Sequence, residues 1–162
     1  MAGDFLFDIE WGGLQELEEE FDKMEEEFEE ILVDEYTKYG LLVEEGSKAL
    51  VHRDHGDLEE SIHFDKGEIE GESVVVEGGS NLPYALRRHE EPYRMGVYDK
   101  YDNGTKYPGY YVNGRGRKTH RKPNWRGYKP GRKYLANAII ATEEDYNIMN
   151  LRVLNRTFGE ES

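Results

Sequence analysis

Leu14 to Val51, LQELEEEFDKMEEEFEEILVDEYTKYGLLVEEGSKALV, is the stretch whose reading decides the fold. Leu14, Leu17, Phe21, Met24, Phe28 and Ile31 recur at alternating steps of three and four, the spacing that lines one face of an α-helix. The stripe continues through Leu32, Tyr36, Tyr39 and Val43 to Leu50. Gly40 and Gly46 interrupt it, each at a cost of about 1 kcal/mol relative to alanine. A helix over these residues spans roughly 57 Å at about 1.5 Å per residue, long for a chain of 162 residues. Part of it is therefore expected to project from the body or to lie across a neighbouring subunit.

Before this stretch, Phe5, Phe7, Ile9 and Trp11 alternate with acids, predicting a short half-buried strand from Asp4 to Trp11 that Gly12-Gly13 ends. After it, Asp54 to Asp57 reads as a turn centred on Gly56. Leu58–Lys66 and Ser73–Glu77 are strand-like and predict an antiparallel hairpin joined through Gly67–Gly71, with Leu58 and Ile62 starting its inward face. Ser80-Asn81-Leu82-Pro83 predicts the start of a short helix that runs to about Glu91. Arg132 to Phe158 closes the chain as a helix with Leu135, Ala138, Ile139, Tyr146, Met149 and Val153 on its apolar face. Between these helices, residues 93–130 are rich in Gly, Tyr and Arg. They read as a long loop insertion in which Asn103-Gly104 and Asn113-Gly114 can each make a tight hairpin turn. The predicted fold is α+β, one domain over residues 1–162: a small, mostly antiparallel sheet with a long N-terminal helix, a short middle helix and a C-terminal helix. Tyr84 and Leu135 are the expected core anchors beneath the sheet.

The formal net charge is −14, which opposes broad binding to nucleic acid, but the charge is unevenly placed. Residues 16–35 hold twelve acids and one base, Lys23, whereas residues 103–142 hold ten Lys and Arg and no acid. Such asymmetry suggests that the two segments meet opposite partners, or each other. The acidic helix residues Glu25, Glu26, Glu29 and Glu30, with the stripe Leu14, Leu17, Phe21, Met24 and Phe28, are the expected contact with a neighbouring subunit. The basic segment supplies Arg115, Arg117, Lys118, Arg121, Lys122, Arg126 and Lys129, interleaved with Tyr107, Tyr110, Tyr111, Trp125 and Tyr128. Cations beside stacking rings suit nucleic-acid backbones. Pairing with a neighbour's acidic helix is preferred here, because that helix otherwise lacks a partner.

The chain has no cysteine, so disulfides and thiolate metal sites do not arise. His52 and His55 have a metal-pair spacing without a third ligand at a fixed offset, and ordinary turn polarity is the preferred reading. Carboxylate pairs such as Glu90-Glu91 are expected by chance among 35 acids, and Ser61 and Ser73 sit in no nucleophile motif, so no enzymatic activity and no cofactor is expected. Acids at Asp4, Asp8 and Glu10 argue against a secretory leader. The longest apolar run near the C-terminus, Ala136–Ala141, is broken by Asn137, so no membrane span is expected.

Three patterns, in order, resemble the neck and tail-completion (head–tail joining) proteins of long-tailed double-stranded DNA bacteriophages. The first is Ile9-Glu10-Trp11-Gly12-Gly13-Leu14, leading from a strand through glycine into a long helix. The second is His55-Gly56-Asp57-Leu58-Glu59-Glu60-Ser61-Ile62, similar to the family's turn-Gly-x-Leu-x-x-Ser-Ile. The third pairs Pro83-Tyr84-Ala85-Leu86-Arg87-Arg88-His89-Glu90 with Gly131-Arg132-Lys133-Tyr134-Leu135-Ala136-Asn137-Ala138-Ile139, similar to a Tyr-Ala-x-x-x-Glu segment followed by an aromatic-Leu-x-x-Ala helix. The chain departs from the family in His55, where Thr is frequent, in Glu91-Pro92 after Glu90, where Gly-Thr is usual, and in the length of the 93–130 insertion.

The resemblance implies a structural virion protein assembled in the host cytoplasm. It would form a cyclic homo-oligomer, preferably a hexameric ring, in the neck that the genome traverses. Its expected partners are further copies of itself, a portal-side connector protein, and a tail terminator or tail tube protein, with transient contact to packaged DNA. The alternatives are a tail terminator or connector ring subunit and, in another class, a small DNA-binding protein using the basic loop.

Overall fold

The computed structural model describes residues 14–159, with side chains placed at Glu19 and from Asp22 onward. The strand expected at Asp4–Trp11 lies outside the described residues, as do the side chains of Leu14, Leu17 and Phe21.

The long apolar stripe does make one helix, α1, Leu14–Leu50. Its C-terminal half is the axis of the molecule. Val43 and Leu50, with Val51 just beyond, are buried with Leu58, Ile62, Ala85, Tyr134 and Ala138, and Tyr39, Phe64, Leu82, Trp125, Tyr128 and Leu135 pack around them. The glycines that weaken α1 in isolation are what let other segments reach it. A methyl group on Gly46 would lie 2.5 Å from the Trp125 ring, and one on Gly40 would lie 2.7 Å from Val76 Cγ1. Intrinsic propensity yields here to close packing.

Gly56, at φ 91°, makes the expected turn. The next segment departs from expectation: Asp57–Ser61 is a helical turn, α2, closed by Glu60 N–H donating to Gly56 O at 2.9 Å. Leu58 and Ile62 are both buried, as expected, but through a spacing of four that belongs to a helical turn. The hairpin begins only afterwards. Strand β1 (His63–Phe64) pairs with β4 (Gly78–Gly79), and β2 (Glu68–Glu70) pairs with β3 (Ser73–Val75), so the chain reverses at Gly71-Glu72. Two contacts tie this ribbon to α1: Phe64 N–H donates to Glu44 Oε2 at 2.9 Å, and Gly67 N–H donates to Thr37 Oγ1 at 2.9 Å. Ser61 Oγ lies 2.6 Å from Ser80 Oγ and donates to Leu58 O, linking α2 to the far end of the ribbon.

The middle helix α3 is Ala85–Glu90. Tyr84, its capping residue, is exposed, which corrects its assignment as a core anchor. Tyr134 takes that role: it is buried, its hydroxyl donates to Ala85 O at 3.0 Å, and its ring meets His89 edge-on at 4.9 Å. Leu135, next to it, only borders the core. The C-terminal helix is two helices, α5 (Tyr134–Ala141) and α6 (Glu143–Phe158). The break falls at buried Thr142, whose hydroxyl donates to Ala138 O at 2.8 Å and lies 3.1 Å from Tyr39 Oη. A threonine bonded back to the preceding turn bends a helix, and the bend lets both halves pack against α1.

Residues 93–130 are not a loop. Strands β5 (Val97–Asp102), β6 (Thr105–Val112) and β7 (Arg115–Gly116) form an antiparallel meander, followed by a helical turn, α4 (Arg117–Arg121). Both Asn-Gly pairs make the connections. Asn103, Gly104, Asn113 and Gly114 all have positive φ, as two-residue type I′ turns demand. A third turn, at Arg126-Gly127, folds Trp125 back onto Tyr128 and sets the indole over Gly46. The fold is thus α+β, as expected, with three small antiparallel sheets among the described residues in place of one.

Candidate functional site

The acidic half of α1 is exposed over Asp22–Glu27 and then approaches the β2 ribbon, where Glu26, Glu29 and Glu30 share a shallow cleft with Lys66 and Ile69. Asp22 through Glu27 are all exposed, including Met24 at 42 %, and Glu25, Glu26, Glu29 and Glu30 point to solvent with Phe28 half-buried. Packing begins with half-buried Phe28 and Ile31–Val33 and is complete at Glu35. Glu35 is only 2 % exposed and accepts from Arg152 Nε at 2.6 Å and Arg156 Nη1 at 2.8 Å, so α6 grips α1 near its own C-terminal end. Burial pushes the Glu35 carboxyl upward. The hydrogen bonds and charges of Arg152 and Arg156 outweigh it, and the group sits below its ordinary range. Tyr36 and Tyr39, one turn further on, meet Tyr146, and Tyr36 also donates to Asn150 Oδ1. Helix α6 therefore runs antiparallel to α1 and ends where the acidic half begins.

A second apolar surface emerges that sequence reasoning missed. On α6, Met149 and Val153 are buried against the body, but Ile148, Leu151, Leu154 and Phe158 face outward, Leu151 at 61 % and Phe158 at 65 % exposure. At about 100° per residue these four fall within an arc of about 120°, on the side of the helix away from Met149 and Val153. Ile139 and Ile140 of α5 are exposed as well, which corrects the placing of Ile139 on a buried face. The signal lies in the spacing 148, 151, 154, 158, hidden because the same helix carries a second stripe for the core.

The basic segment largely serves its own chain. Lys122 is the clearest correction: its side chain is 3 % exposed, and its ammonium donates to Lys48 O at 2.7 Å and Val51 O at 2.8 Å, with Glu59 at 3.7 Å. It caps the carbonyl end of α1, where a cation is favoured, and cannot reach a neighbour. Arg126 pairs with Asp145 and lies over the Trp125 ring. Arg115 donates to Pro130 O, Arg117 to Pro108 O and Lys118 to Asp54 O. Arg121 and Lys129 are exposed and enter no ion pair among the described residues. Glu90, also exposed, is held by Lys133 and His89.

His52 and His55 point different ways. His52 is directed inward, whereas His55 lies 3.1 Å from Asp102 at the surface, and no cluster of three metal-ligating side chains exists among the described residues. No described helix is long and apolar enough to cross a membrane. What the structure brings together is a projecting acidic helix, an outward apolar face on α6 beside its root, and a small aromatic sheet whose cations are mostly spent within the chain. Comparison with known proteins adds no relative to this description: no family model, no curated protein and no solved structure matches the chain.

Proposed function

We propose that this chain is a structural subunit that assembles with copies of itself into a ring, and that the ring belongs to the neck of a tailed double-stranded DNA virus, between the portal-side connector and the tail. The observation that carries the assembly is the outward apolar face of Ile148, Leu151, Leu154 and Phe158 at the root of the projecting acidic helix. Two different surfaces on one chain favour a head-to-tail contact, which repeats around a closed ring when its rotation closes. A contiguous exposed apolar stripe on a chain this strongly charged is the usual mark of an interface. The place in a virion rests on the three sequence patterns around Gly12, Gly56 and Tyr84.

Light scattering and native mass spectrometry of the purified chain test the assembly. A closed oligomer, six subunits being the preferred number, is expected, and Leu151→Asp with Phe158→Ser should dissolve it without lowering the melting temperature, because neither side chain contributes to the core. A wild-type chain that stays monomeric at all concentrations, alone and with the connector it is meant to meet, would remove the proposal.

A further inference from the structure

Two adjoining cavities, of about 270 and 280 Å3, open beside the β5–β6–β7 sheet, where α2 and α3 face it. They share His52, Arg88, Tyr111 and Gly114, so they form one groove with His52 at its waist. Its charge is unusual for a chain of net charge −14. Burial, and then the charges of Arg88, Lys122 and Arg115, push the imidazole of His52 down to about 4, so every charged neighbour that acts on it is a cation. Asp54, Asp57 and Glu91 line the groove, but Asp54 is taken up by Lys100 and by the Tyr110 hydroxyl, Asp57 lies exposed, and Glu91 lies 3.6 Å from Arg87. Glu59, the nearest acid to Lys122, is held by two hydrogen bonds from Arg53.

One group in the groove wall is left over: Arg88 is half-buried there and joins no ion pair among the described residues. His52 Nδ1 and, behind the wall, Arg115 Nε are enclosed and have no hydrogen-bond partner among the described residues, so nothing within the chain neutralises the positive charge on this side. A half-buried guanidinium without a counter-charge is costly unless something completes it. A guanidinium beside an imidazole, with further positive charge behind it, is complementary to a compact anion with several oxygen acceptors.

We infer that this groove binds an oxyanion, a phosphate or carboxylate group held by Arg88 and His52 against the positive charge of Arg115 and Lys122. The free ion and a carboxylate side chain from a second copy share this chemistry. The groove lies within one chain, so the free-ion form stands without the ring proposed above, whereas the second-copy form needs self-association of some kind.

The histidine ring nitrogens of 15N-labelled protein report on binding directly. At pH 6.5 and constant ionic strength, inorganic phosphate and, separately, acetate are added to the full chain, with the His52 signals identified from His52→Gln. For at least one anion we expect a saturating change at His52, half complete at or below about 10 mM. Arg88→Gln should weaken it at least about tenfold, because one charge-assisted contact is worth about that much, while Arg88→Lys should keep part of it. A response to phosphate and not acetate assigns a phosphate ligand. A response to acetate, with His52 signals that also move on dilution of the protein alone, assigns a neighbour's carboxylate. Absence of a saturating change with either anion, or an equal response in a folded Arg88→Gln chain, overturns the inference.

Discussion

Replacing Lys122 with methionine tests whether the buried ammonium is the latch at the end of α1. Methionine fills nearly the same volume and removes only the charge and its hydrogen bonds. In the native chain, burial pushes the amine down from its ordinary 10.5 to about 8, with Glu59 pulling it back up and Arg53 adding to the fall. The unfolded chain therefore holds the proton more tightly than the native one between those two values. Stability gained from this group rises with pH through the window from about 8 to 10.5, and below it the native state bears the full burial penalty. Integrating the difference from pH 7 to 9.5 gives a gain of about 2 kcal/mol in the native chain that the methionine variant lacks. At pH 7 the variant also frees the carbonyls of Lys48 and Val51, at about 1–3 kcal/mol, but escapes the burial penalty, so the net loss should be about 1 kcal/mol. Urea unfolding followed by circular dichroism at the two pH values reads both numbers. The gap between wild type and variant should widen by about 2 kcal/mol at the higher pH, since all other titrations are common to both. A gap that stays constant, or narrows, would refute the reasoning.

Glu35, Glu44, Asp54 and Glu59 all sit below their ordinary carboxyl range in the folded chain, so they add stability above about pH 4.5 that is lost as the pH falls through the window below it. Glu35→Gln should flatten part of that acid limb and lower stability at pH 7 by about 1–3 kcal/mol, measured by urea unfolding across pH 3 to 7. Gly40→Ala should destabilise by about 1–3 kcal/mol through its clash with Val76, comparable to Gly56→Val, which meets open space but forces a β-branched residue to positive φ; thermal melts of the two compare them. If the basic segment contacts a neighbour, reversing two exposed cations that hold no hydrogen bond or ion pair among the described residues, with Arg121→Glu and Lys129→Glu, should weaken oligomers in light scattering without altering the melt, and Glu25→Lys with Glu29→Lys should restore part of the loss.

The parts of the fold that are legible in the sequence are those fixed by local geometry. The stripe from Leu14 to Leu50 needs no partner to be read as helical, and Asn-Gly pairs demand positive φ wherever they fall. The meander around those turns is not legible as strands. Tyr107-Pro108-Gly109-Tyr110-Tyr111 shows no clean alternation, since much of this small sheet is half-exposed and only Tyr110 among these five is buried. Leu58 and Ile62 are legible as core residues, but a spacing of four suits one face of a strand as well as one face of a helical turn, and the turn is what forms. Lys122 reads as a surface cation because nothing nearby in the chain announces its partners. They are main-chain carbonyls more than seventy residues earlier. The groove around His52 is invisible in the sequence for the same reason, since it exists only once α3 and the meander face each other.

The contact between Trp125 and Gly46 has an evolutionary corollary. The indole occupies the space a side chain at position 46 would need, so neither position is free to vary alone. A lineage that gained alanine or serine at 46 would have to shrink the ring at 125, or surrender the docking of the Arg126-Gly127 turn onto α1. Such a pair should drift together, tryptophan with glycine and smaller residues with larger ones, and the correlation would mark homologues that keep this architecture after their helices and surface charges have ceased to resemble one another.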